Sequence, residues 1–223
     1  MTVGSSTAGP MRAGFIVMGV AGALLAVFFT VGMLMGGDQS NPGARAASTA
    51  SLGDVIANAV YVLSLIGILL GLVALLGFLR PPSRRQWAIG SLITGIASLA
   101  CILVGMGAAG PGAETVASLY APGQNAIAGA LAQMSGGSFG PYILPYFIAG
   151  AVLGLLCGIL GAVELWHTIG VPRWVAVLFG LGFALTMGSA PLVTQVGGVL
   201  LAIASFALAS RAGAAHEAAA VAR

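Results

Sequence analysis

Lysine is absent from this chain. Its eight basic residues are all arginine, and five acids and two histidines complete the charge among 223 residues. A surface that tracks phosphates needs clustered cations, so nucleic-acid binding is not expected, and the net charge of +3 does not point to a polyanionic partner. Charged residues amount to 6% of the sequence against 59% hydrophobic ones, and the mean hydropathy is +1.06. An ordinary water-soluble domain does not have that balance.

Reactive groups are equally scarce. The two cysteines, Cys101 and Cys157, fall inside apolar stretches at different depths, where a thiol packs as a small apolar group and a disulfide is not expected. The sequence has no phosphate-binding glycine loop, no His-Glu-x-x-His, no Gly-x-Ser-x-Gly and no Cys-x-x-Cys. Glu164 and His167 make a single Glu-x-x-His, half of what a di-iron bundle uses and short of a zinc ligand set. Neither a metal nor another cofactor is expected.

The sequence does have long apolar stretches, near 13–35, 55–79, 88–106, 143–165, 175–187 and 192–210. Most approach the ~20 residues that carry an α-helix across ~30 Å of hydrocarbon. The expected fold is an all-α integral membrane protein, a bundle of six transmembrane helices over residues 11–211. Residues 1–10 are expected to be disordered, and 212–223 to form a tail that frays past the last span. With the N-terminus inside, Arg12, Arg80, Arg84, Arg85, Arg173, Arg211 and Arg223 lie on the cytoplasmic side, and Arg45 alone lies outside. The opposite orientation reverses that ratio, so both termini and the Arg-rich turns are expected in the cytoplasm. Trp87, Trp166 and Trp174 fall at the inner boundary, and Tyr120, Tyr142 and Tyr146 at or near the outer one, as an aromatic belt requires. Arg12 with its apolar run loosely imitates a signal peptide, but the run exceeds the ~7–15 residues of a signal core and reads as a retained anchor helix.

The connections follow the same pattern. Arg80-Pro81-Pro82 stops the second helix, because neither proline can continue it. Thr168 to Trp174 makes a similar turn between the fourth and fifth. Residues 107–141 form the one long outer connection, with short helices expected at 114–120 and 124–134, and it is the natural lid over any site at that end. Small residues spaced four apart, Gly150, Gly154 and Gly158 on the fourth helix, Gly67 and Gly71 on the second, Gly32 and Gly36 on the first, favour close backbone contact. The fourth helix is therefore expected at the centre of the bundle.

Polar residues at membrane depth are costly unless they face the bundle interior or a wet cavity. Asp54, Asn58 and Tyr61 share a narrow sector of the second helix near its outer end, and Thr194 and Gln195 open the sixth at a similar level. These five are the candidate ligand-binding residues of an outward-opening crevice. Asp54 also suits a helix-start charge, and Ser51 three residues before it resembles a capping box. Glu164, just inside the cytoplasmic boundary, is expected to pair with Arg173 or an arginine of the other inner turn. Asp54 and Glu164 are the two candidates for a catalytic acid.

The turn Leu165-Trp166-His167 followed by Pro172-Arg173-Trp174, with the hydropathy profile, resembles polytopic proteins of GC-rich bacteria, which implies a bacterial inner membrane and transfers no functional residue. The function expected first is non-catalytic: binding of a small lipophilic ligand within the lipid bilayer, or service as an accessory subunit of a membrane complex. A membrane-embedded enzyme acting on an isoprenoid or lipid, in the manner of a terpene cyclase, needs little beyond one acid in an apolar pocket and is the alternative. A small transporter or transporter subunit is a third reading, against which no span is broken in its middle.

Overall fold

The computed structural model describes residues 8–35, 52–78, 85–119, 144–168, 170–187 and 191–221. They hold six α-helices: α1 Ala8–Met35, α2 Leu52–Phe78, α3 Arg85–Ser118, α4 Leu144–His167, α5 Arg173–Thr186 and α6 Pro191–Val221. Five of them are long and apolar enough to cross a membrane, as in a multi-pass membrane protein. The exception is α5, whose 14 residues extend ~21 Å at the α-helical rise. A helix satisfies every backbone group internally, which makes it the conformation available to such apolar sequence in lipid.

Helix ends depart from the expected ones where small residues prolong a helix at little cost. α1 begins at Ala8, so residues 8–10 belong to the first helix; Pro10 sits in the first turn, where its missing N–H costs nothing. α3 continues through Gly107–Ser118 and past Pro111, so the outer connection is shorter than expected and 114–118 belong to α3. α6 likewise runs on to Val221 through an alanine-rich tail, in keeping with the high helix propensity of alanine. The short helix expected at 124–134, and Gly36, lie outside the described residues.

The helices form a ring. Each packs on its sequence neighbours, and α1 closes the ring against α6; the pairing of α2 with α3 is the thinnest. Every neighbouring pair whose register can be followed is antiparallel. A Cβ added at Gly14 would meet Ala74 while one at Gly67 would meet Ala21, which runs α1 against α2. Gly22 faces Gly198 and Gly19 faces Phe206 across α1 and α6; Gly90 faces Leu160 and Gly105 faces Phe147 across α3 and α4. Gly158 faces Gly180 and Gly154 faces Met187 across α4 and the end of α5. This alternation sets the first turn of α1 beside the last turns of α6, so Arg12, Arg173 and Arg211 belong to one end of the bundle.

In a ring no helix is central, and the expectation that α4 occupies the middle fails. Only 28% of its span is buried, against 50% for that of α6. Gly150 meets Ile102 of α3 and Gly158 meets the Gly180 carbonyl of α5, so the glycine stripe is divided between two neighbours. α6 is the better enclosed because Gly197, Gly198, Ala202, Ala204 and Ala209 open several of its faces to close approach. The ring interior is filled by Phe15, Met18, Ile68 and Leu72, and by Phe179, Phe183 and Leu201. At Gly95 of α3 the side chains of Leu72, Cys157 and Phe183 converge, which joins four helices.

Candidate functional site

Some buried hydroxyls of the ring are satisfied within their own helix. Ser64 donates to the Val60 carbonyl at 2.8 Å, Thr186 to Gly182 at 2.6 Å and Ser205 to Leu201 at 2.6 Å. Their donors are spent on backbone four residues back, a common use of buried hydroxyls in helices.

At the end opposite the arginines stand Tyr61, Thr194 and Gln195. Tyr61 is half-buried and packs against the core, Thr194 is buried, and Gln195 is half-buried. α1 supplies a common ruler for them. Gly198 of α6 meets Ala26, and Tyr61, six residues before Gly67, comes level with Ala26 by the α1–α2 register. Thr194 and Gln195 precede Gly198 by about one turn, so the three lie within about 5 Å of one another in depth. α2 and α6 flank α1 and share no extensive contact of their own. Asp54 and Asn58 lie on the first two turns of α2, further from the arginine end; their side chains fall outside the described residues.

At the other end Glu164 of α4 is 4% exposed. One turn earlier, a Cβ on Gly161 would lie 3.1 Å from Ser91 Oγ of α3 and 2.5 Å from Phe179 of α5. The register then brings Glu164 level with Ala88 and Ala176, both buried, and two alanines on the flanking helices are what admits a carboxyl side chain here. Thr168 Oγ1 donates to the Glu164 backbone carbonyl at 2.8 Å. Its neighbours Trp166 and His167 point outward and are exposed. Arg173 lies over the Trp166 ring, with Cζ 5.2 Å from the centroid, and Arg211 Nη1 donates to the Gly170 carbonyl at 2.9 Å. Gly170 holds φ +86, a backbone conformation that glycine adopts freely. The turn between α4 and α5 thus needs its glycine, and α6 reaches across to hold it.

Two interhelical contacts were not anticipated from the sequence. Ser91 Oγ donates to the Cys157 carbonyl at 2.9 Å, and Ser98 Oγ to the Gly150 carbonyl at 2.6 Å, both buried. Two serines seven residues apart in an apolar helix were the available signal. Cys101 and Cys157 are free thiols. Among the described residues no three His, Cys, Asp or Glu side chains gather where they could hold a metal ion. No protein-family model, no curated protein and no solved structure matches this chain.

Proposed function

We propose that this chain is a six-crossing protein of the cell membrane, with both termini and the Arg-rich turns cytoplasmic, that binds a small lipophilic or weakly polar ligand at its outer end. The observation that carries this reading is the common depth of Tyr61, Thr194 and Gln195 at the end remote from Arg12, Arg173 and Arg211. Three polar side chains at one level of a largely apolar ring suit a ligand that is mostly apolar with one or two polar atoms. Asn58 and Asp54 lie further out along the same helix as Tyr61. α5 is assigned the sixth crossing, as its antiparallel packing on both α4 and α6 favours.

Lipids extracted from the purified protein, compared by mass spectrometry with those of the surrounding membrane, test this reading. One lipophilic species should be enriched, and Asn58→Leu should deplete it while leaving insertion intact. An extract that matches the bulk membrane for both proteins would favour service as an accessory subunit instead.

The burial of Glu164 supports a second, enzymatic reading, in which an acid in apolar surroundings protonates an isoprenoid or lipid substrate. Glu164→Gln keeps the shape and removes the proton, so it should abolish turnover of such a substrate without altering the melting temperature.

A further inference from the structure

We propose that the α4–α5 turn and the end of α6 form a binding site for the headgroup of an anionic phospholipid. The site is independent of the outer polar cluster, and it is built from two arginines that the fold positions without neutralising. Arg211 spends one N–H on the Gly170 carbonyl, which leaves most of its guanidinium fork directed at solvent. Arg173 is held over Trp166 by its π-face, and among the described residues its N–H edge makes no hydrogen bond. Among the described residues neither guanidinium has an ion-pair partner, and the acid of this end, Glu164, is only 4% exposed. The remaining acid on this side, Glu217, follows Arg211 by six residues along α6, about 9 Å at the helical rise.

A second feature selects a lipid over a soluble anion. Trp174, Val177 and Leu181 are 51%, 44% and 51% exposed, and their i, i+3, i+7 spacing makes one stripe down the outside of α5. The stripe begins beside Arg173 and runs toward the middle of the bundle, so an acyl chain laid along it delivers its phosphate to the two arginines. Trp166 and Trp174 sit at the level where indole rings favour the headgroup boundary. Charge at the top and an apolar track beneath it are the two halves of a phospholipid.

The full-length protein reconstituted in phosphatidylcholine vesicles doped with brominated phosphatidylglycerol tests the site, because bromine in an acyl chain quenches a tryptophan that it touches. Brominated phosphatidylglycerol should quench more strongly than brominated phosphatidylcholine at equal mole fraction. Removing a cation near an anionic surface weakens attraction about fivefold, so Arg173→Gln with Arg211→Gln should weaken the preference roughly thirtyfold. Arg173→Lys with Arg211→Lys keeps the charge and should retain most of it, and Arg12→Gln, off the turn, should leave it unchanged. Equal quenching by the two lipids, or an equal loss in the Arg12 variant, overturns the site in favour of diffuse attraction. Relief of quenching by inorganic phosphate would overturn the lipid assignment and make this a site for free anions.

Discussion

Ser98 on α3 donates its hydroxyl to the backbone carbonyl of Gly150 on α4 at 2.6 Å, and one heptad away Ser91 repeats the bond to Cys157 at 2.9 Å. The two serines and the two acceptors are both seven residues apart, so the pair of bonds fixes the antiparallel register of these helices. Interhelical hydrogen bonds in membranes contribute about 0.5–1.5 kcal/mol each. Ser98→Ala should lower stability in a denaturation titration by that amount, and the double change with Ser91→Ala by nearly twice as much. Loss of both without any shift would show that apolar packing alone holds α3 to α4.

Glycine substitutions should separate sharply by position. A Cβ at Gly158 would lie 2.6 Å from the Gly180 carbonyl oxygen, where only movement of a helix backbone makes room. Gly158→Ala is expected to cost about 1–3 kcal/mol, as overpacking does. Gly154→Leu meets Met187 Cβ at 2.6 Å and Ser98 Oγ at 3.2 Å, and should lower the melting temperature in detergent as well. Gly9, with nothing within 4 Å of its added Cβ, gains helix propensity on replacement by alanine, about 0.5–1 kcal/mol. Equal melting temperatures for the Gly9 and Gly158 variants would sink the close-packed reading of the α4–α5 interface.

Orientation is open to direct labelling. A cysteine placed at Ser135 should react with an impermeant thiol reagent in intact cells, and one placed at Ser83 should react only after the membrane is opened. The native thiols give a quiet background: Cys157 is buried and Cys101 half-buried within α3. Labelling at Ser83 alone would invert the topology.

The all-helical, multi-pass character was legible because hydropathy is a local property, summed over a window that matches one crossing, and five of the described helices are long and apolar enough to make one. Helix ends were less so. α3 passes Pro111 and α6 passes Arg211 because the breaker residues there are outweighed by alanine and by bonds already propagating from a long helix. The ring could not be read, since the glycine spacing on α4 states that neighbours come close and not which neighbours. Gly150 and Gly158 serve different helices, and only their partners reveal it. The common depth expected for Tyr61, Thr194 and Gln195 rests on counting residues inward from helix ends at a constant helical rise. Arg211 on the Gly170 carbonyl joins residues 41 apart, and no periodicity within either segment signals such a bond.

The contact between Gly22 and Gly198 has a consequence for synthesis. A Cβ on either glycine would fall 2.7 Å or 2.5 Å from the other's carbonyl oxygen, so the earliest of the six helices to be synthesised seals against the latest. Until α6 arrives, α1 has only α2 to cover it, and the small-residue face around Gly19 and Gly22 stays open to lipid. A nascent chain halted before Pro191 would therefore display an unfinished edge, a surface by which a quality-control protease could tell an incomplete bundle from a closed one.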